Sequence, residues 1–255
     1  MKVLVAIKQV PSRETQLRVN PAADWIEDPD MSEINEPDAY ALEEALQLRE
    51  KLGGEVVALC AGPEGASQTI REALAKGADR AIHIEDNGLQ RFDMLGIARI
   101  LAKAAQGEEP DLILTGLQSD DLGYGQTGVV MAEILGYAHA TIIMRVERTG
   151  GGIRVKRELE DGWFQHVDLP LPAVLTIQSG INKLRYATLM GIKRAKTKEV
   201  RKLAVSDLGV GGEATVRLEK VYMPQRSKQT RMIEGSVAEQ AAKLVEALRH
   251  EVRAL

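Results

Sequence analysis

Residues 111–136 read DLILTGLQSDDLGYGQTGVVMAEILG, and this stretch decides the fold class. Leu112-Ile113-Leu114, preceded by Pro110 and Asp111, is a short apolar run of the kind that forms a buried strand. It stops at Thr115-Gly116 and enters a loop rich in Gly, Ser and Asp. A helix is expected from Gln126-Thr127, with apolar faces from Val129, Val130, Ala132, Ile134 and Leu135, and Gly136 ends it as a C′ glycine. Strand, small-residue loop and helix is the arrangement that holds a ligand beyond the carboxyl end of a strand. Gly123, Gly125 and Gly128 permit close backbone approach. The free N–H groups of a first helical turn attract an anion such as phosphate, and Thr127 adds a hydroxyl donor. The loop contains no Gly-Lys-Ser/Thr, no dinucleotide fingerprint and no lysine, so it suits binding better than phosphoryl transfer. Every parallel α/β protein has several such loops, and most only connect elements, so the flanks must decide.

The flanks repeat the pattern. Val3 to Ile7 is a continuous apolar run, typical of a central parallel strand. Residues 12–33 form an excursion with Pro21, Asp28, Pro29 and Asp30, and a hairpin is expected around Asn20-Pro21. Asn35 or Asp38 can cap the next helix, whose Ala39, Leu42, Ala45, Leu46 and Leu48 recur at helical spacing. Glu55 to Cys60 reads as a second strand left through Ala61-Gly62-Pro63, and Glu64 to Lys76 as a helix. Ala81 to Ile84 and Asp93 to Ala105 give a third strand and a further helix. The alternation predicts an α/β fold with a doubly wound, mainly parallel sheet and right-handed crossovers. From Thr141 the pattern becomes antiparallel: residues 142–146 and 153–159 flank Thr149-Gly150-Gly151-Gly152 as a hairpin extension, followed by Trp163 to Leu169 and then Ala173 to Ile177. From Lys193 the basic run RAKTKEVRKLAV reads as a helix leading away. Residues 206–235, with Gly209-Val210-Gly211-Gly212 and many charges, read as an extended arm, and Val237 to Val252 as a closing amphipathic helix. We therefore divide the chain into a domain, 1–205, and a C-terminal arm, 206–255, that needs another surface to bury against.

Composition narrows the function. The net charge of −4 over 255 residues argues against nucleic acid as a partner, and scarce aromatics argue against base-stacking platforms. Cys60 is the only cysteine, so no intramolecular disulfide forms and a cytoplasmic site fits. No apolar run approaches membrane-spanning length, so the chain is not expected to be membrane-embedded. MKVLVAIKQV lacks a signal peptide's segment and enters a strand at once. His83, His139, His166 and His250, with Cys60, offer no metal-site spacing, and they read as surface or strand residues. Glu43-Glu44 and Asp120-Asp121 are adjacent carboxylates, but neighbours at i, i+1 do not face each other on a helix. The first pair reads as helix surface and the second as loop polarity. No nucleophile, base or metal constellation stands out, so no catalytic residue is assigned.

Four blocks carry a resemblance. They are Asn35 with Ala41-Leu42-Glu43-Glu44-Ala45; Gly62-Pro63 through Thr69 to Arg80; the Asp111–Gly128 loop with Gln126-Thr127-Gly128; and Arg185-Tyr186-Ala187-Thr188-Leu189. In this order and spacing the chain resembles the beta, or small, subunit of electron transfer flavoproteins over its whole length. The resemblance implies a heterodimer with an alpha subunit that holds the redox-active FAD. The pair would accept electrons from dehydrogenases, such as acyl-CoA dehydrogenases, and pass them to a membrane quinone oxidoreductase. It also implies a structural AMP in this chain, bound by Ala6, by Asn35, Glu36, Pro37 and Asp38, by Ala61, and by Gly116, Gln118, Ser119, Asp120, Asp121, Gly123, Gly125, Gln126 and Thr127. Ala6 and Ala61 are small enough for backbone to approach a nucleotide, and Asn35 offers a donor and an acceptor. Leu189 matches the leucine that enters an apolar pocket of the dehydrogenase, beside Tyr186. Lys193, Arg194, Lys196 and Lys198 would steer an acidic partner. Gln126-Thr127 matches the AMP-binding form, and Asp120 to Gly125 follows the family's acidic loop only in part. Two other readings stay open: a bifurcating flavoprotein subunit with a second FAD in place of AMP, and an ATP-binding stress or signalling homodimer of related architecture.

Overall fold

The computed structural model describes residues 1–27, 29–210, 214–224 and 230–251. In chain order the first elements are β1 (Lys2–Ala6), β2 (Gln9–Pro11), β3 (Ser32–Ile34) and α1 (Glu36–Leu52). Then come β4 (Glu55–Gly62), α2 (Ser67–Lys76), β5 (Arg80–Glu85), α3 (Met94–Gln106), β6 (Leu112–Gly116) and α4 (Thr127–Leu135). The rest are β7 (Ala138–Arg148), β8 (Ile153–Glu158), β9 (Phe164–Leu169), β10 (Ala173–Ile177), α5 (Leu189–Ala195), β11 (Val200–Leu203) and α6 (Val237–His250). Among the described residues the main sheet runs β11-β5-β4-β1-β6-β10-β7-β8-β9. Its strands are parallel from β11 to β7, and β8 and β9 add antiparallel. This is the doubly wound sheet with a hairpin extension that the alternation predicts.

Burial follows strand alternation. Val3 and Val5 of β1 face one core with residues of α1 and α2, while Leu4 faces the other with residues of α3 and α4. Central strands covered on both sides are apolar at nearly every position, as in β1 and β10, whereas β8 and β9, covered on one side or at the edge, admit charge. The β7 pairing breaks register on both sides, between Leu175 and Ile177 and between Ile143 and Arg145, and Ile142 there has φ +59°. A β-branched residue in that region marks a bulge, where β7 leaves the parallel sheet for the hairpin. The excursion after β1 folds back on itself: β2 pairs with β3, and Val19 bridges Ile26 beside Asn20-Pro21, as expected. Asp28 of that excursion lies outside the described residues.

Two expectations fail. Residues 193–205 are not a basic helix. The helix α5 starts earlier, at Leu189, and ends at Ala195, and Val200–Leu203 is β11, an edge strand parallel to β5. The basic side chains are the charges that an exposed edge carries: Arg201 pairs with Glu108 and Lys202 with Glu85. Nor are Glu43 and Glu44 helix surface, since both are buried. The final helix runs Val237–His250; Val252, at the end of its expected span, and Gly211-Gly212 of the arm lie outside the described residues. The chain forms two compact units, Met1–Lys220 and Val221–Leu255. In the second, α6 carries a full capping box, Ser236 with Glu239, and its Val237, Leu244 and Val245 are exposed. Among the described residues no helix is long and apolar enough to cross a membrane.

Candidate functional site

The chain order reverses at β1. It runs outward through β4 and β5, then returns to place β6 on the other side of β1. The carboxyl ends of β1 and β6 therefore open a crevice at a topological switch point, the usual ligand position in this architecture. Ala6 ends β1, Gly116 ends β6, and the amino ends of α1 and α4 flank the opening.

Asn35 ties this crevice together. It stands at the N-cap position of α1, yet its side chain makes no cap bond. Its Nδ2 donates to the Gln118 carbonyl at 2.9 Å, and its Oδ1 accepts from the Asp120 N–H at 2.9 Å, while its own N–H donates to the Lys8 carbonyl. Asp38 does not cap α1 either. It is buried and accepts from the N–H of Lys8 at 2.8 Å and of Gly116 at 2.9 Å, joining the two strand ends. Burial pushes its carboxyl up to about 7, although the hydrogen bonds from Lys8, Asn35 and Gly116 oppose the shift. A β-carbon on Gly116 would strike Asp38 and Pro37, which explains glycine there. The two expected caps are thus cross-links from α1 to the strand ends and the loop.

The loop's acidic pair is also paired. Lys8 Nζ donates to both Asp121 carboxylate oxygens at 2.7 Å. Burial alone would raise the Asp121 carboxyl, but the charge and hydrogen bonds of Lys8, with hydrogen bonds from Ser119 and the Leu122 N–H, together outweigh it and hold it below the usual range. Arg13, from the excursion, pairs with Glu36 and reaches Asp120 at 3.5 Å. Sequence reasoning missed Lys8 and Arg13; Lys8, directly after the first strand, carried a positional signal, whereas Arg13 carried none. Ser119 closes a turn by accepting from the Gly123 N–H, and Gly123 and Gly125 have φ near +65°, a region that favours glycine. Gly125 lies against Gln118. No side chain caps α4, so the first-turn N–H groups around Gln126 and Thr127 remain open to an anion. Gly128 is required by packing, since a β-carbon would sit 2.6 Å from Thr115 Oγ1 and 2.7 Å from Thr176 Cγ2. Ala61 is the penultimate residue of β4, one strand from Ala6, on the face that Leu59 also uses.

The residues expected to recognise a partner form a separate cluster on and around α5. Thr188 caps α5, accepting from Gly191 N–H at 3.0 Å. Tyr186 is 94% exposed and Leu189 81%, so Leu189 is not a core leucine. Met190 and Ile192 extend the exposed apolar patch, unsignalled in the sequence because an apolar residue at a helix start usually reads as core. Lys193, Arg194 and Lys196 are exposed. Lys198 is not a free charge: its ammonium donates to the carbonyls of Leu74 and Ala78 at the end of α2, and burial lowers its pKa. His83 is buried on β5, and the other histidines lie on β7, β9 and α6. Among the described residues no group of three or more His, Cys, Asp or Glu is placed to hold a metal ion.

Comparison with known proteins agrees with this architecture. Residues 25–208 match the electron transfer flavoprotein domain. The chain is similar to the electron transfer flavoprotein subunit beta of Methylophilus methylotrophus, at 38% identity covering 96% of this chain and 97% of that one. It is likewise 38% identical to the subunit beta of Bradyrhizobium diazoefficiens over the full length of both. The human subunit beta is 38% identical over 89% of this chain and 91% of its own. The chain belongs to the electron transfer flavoprotein family, in its beta-subunit branch.

Proposed function

We propose that this chain binds AMP in the β1–β6 crevice as a structural nucleotide and works in the cytoplasm as an electron carrier with an alpha subunit that holds FAD. The pair takes electrons from acyl-CoA or other dehydrogenases and delivers them to a membrane quinone oxidoreductase. The residues present fit a mononucleotide. Ala6 and Ala61 leave room at the strand ends, the glycines let backbone approach, and the uncapped start of α4 suits a phosphate. Asn35 fixes the loop beside the crevice through one amide proton and one lone pair, and also bonds to Asp38. Bound FAD supplies the redox chemistry. This chain's residues hold a nucleotide, shape the loop and present the docking patch, and none of this needs an acid, base or nucleophile.

The observation that carries the reading is the exposure of Tyr186 and Leu189, which an isolated domain would bury. Leu189→Ala in the heterodimer tests it. Burying a leucine in a partner's pocket contributes about 1.5–3 kcal/mol, so flavin reduction by a dehydrogenase at limiting carrier should slow roughly tenfold or more. Nucleotide content and heterodimer yield should stay at wild-type levels. An unchanged rate, or loss of the heterodimer, would refute the docking role.

A further inference from the structure

The segment that displays Tyr186 and Leu189 has little backbone support. Residues 179–187, between β10 and α5, belong to no strand or helix, and after a turn at Ser179-Gly180 no backbone–backbone hydrogen bond is found for residues 182–187 among the described residues. Side chains hold it instead, and they hold it to α1. Asn182 Nδ2 donates to the Tyr40 carbonyl at 3.2 Å and to Glu44 at 3.1 Å. Arg185 Nε and Nη2 donate to the two oxygens of Glu43 at 2.7 and 3.0 Å, and its Nη1 and Nη2 reach Glu50 at 2.7 and 3.3 Å. Glu43 is only 5% exposed, and Gln47 Nε2 also donates to it. Such a carboxylate is costly without its cation, and the forked geometry requires a planar guanidinium. Arg185 directly precedes Tyr186, so the clamp acts at the base of the exposed pair.

We propose that Arg185 is the positioning residue of the docking element, and that its double clamp on α1 keeps Tyr186 and Leu189 extended into solvent and ordered before a partner arrives. Ordering in advance removes an entropic cost from docking. The proposal rests on the docking reading of Leu189. It also accounts for two distant parts of the sequence, Leu42-Glu43-Glu44-Ala45 and Arg185 to Leu189, as one physical unit whose other end, at Asn35 and Asp38, frames the crevice.

The test uses the purified heterodimer with Arg185→Ala, Arg185→Lys and Leu189→Ala, alone and with Arg185→Ala. Two readouts are taken: amide hydrogen exchange over residues 179–191, and the half-saturating carrier concentration and maximal rate of flavin reduction by an acyl-CoA dehydrogenase. Arg185→Ala should raise exchange in that segment and raise the half-saturating concentration roughly tenfold, with maximal rate and nucleotide content unchanged. Lysine should recover only part of the loss, because it lacks the fork. On the Leu189→Ala background, Arg185→Ala should add nothing to the kinetic defect. Unchanged exchange overturns the positioning role. Raised exchange with unaltered half-saturation in both single variants leaves the clamp standing and overturns the docking reading. A lost nucleotide or a fallen maximal rate shows that Arg185 serves the general fold.

Discussion

Asp38 sits where burial and hydrogen bonding pull in opposite directions. Its two backbone N–H donors favour the carboxylate, and the apolar surroundings favour the acid; burial is the larger, and the group titrates at about 7. The folded-state value lies above the ordinary one of 3.8. Its contribution to stability is therefore fully present below about pH 4 and is lost as pH rises through about 7. Replacing it by asparagine removes that titration. The stability of the wild-type heterodimer minus that of Asp38→Asn should fall by a few kcal/mol between pH 4 and 8, as read from denaturant unfolding at each pH. A difference that stays flat would mean the carboxyl titrates normally. The sequence announced this residue and Asn35 as polar groups at a helix start, and both do sit there. What it could not announce is their targets, because a cap bond is local and legible, while bonds from Asn35 to residues 118 and 120 depend on how two strands meet. The same limit hid the burial of Glu43 and Glu44, which Arg185 and Asn182 reach from more than a hundred residues away.

Among the elements, the long apolar runs were legible and the charged edge was not. Strands β1, β4, β5, β6 and β10 are buried on both faces, so their composition is their signature. Strand β11 lies at an edge with one neighbour, and its lysine and arginine suggest a helix until its pairing with β5 is seen. Its anchor is Glu108, buried just after α3. The carboxylate accepts from Arg80 of β5 and from Arg201 of β11 at 2.6 Å, and its carbonyl accepts from Lys2 Nζ at 2.7 Å. Burial would raise this carboxyl, yet the hydrogen bond and charge of Arg80 and the charges of Arg201 and Lys2 hold it below its ordinary value. Glu108→Gln should cost about 2 kcal/mol, less than a fully buried pair would because Arg201 is open to solvent. Because the folded value is depressed, the loss should be present above about pH 4.5 and vanish as pH falls through the folded value. Thermal unfolding of variant and wild type at pH 7, and along a series descending from pH 4.5, measures both. Equal stability at pH 7 would mean that the cluster is only surface charge.

For the whole molecule, the crevice at the β1 and β6 ends, the exposed apolar residues at α5 and the exposed amphipathic helix α6 fit a subunit of a larger carrier. The helix α6 has a capped start and an apolar stripe with no cover in its own compact unit, which fits a chain built to pair with an alpha subunit. The crevice itself was readable from residues 111–136, because a glycine-rich loop between an apolar run and a helix marks the carboxyl end of a parallel strand. The identity of its nucleotide is the central claim. The direct measurement is to purify the heterodimer, denature it, and quantify the released nucleotides by chromatography. One AMP and one FAD per heterodimer are expected. Two FAD with no AMP, or ATP released from a flavin-free homodimer of this chain, would contradict this.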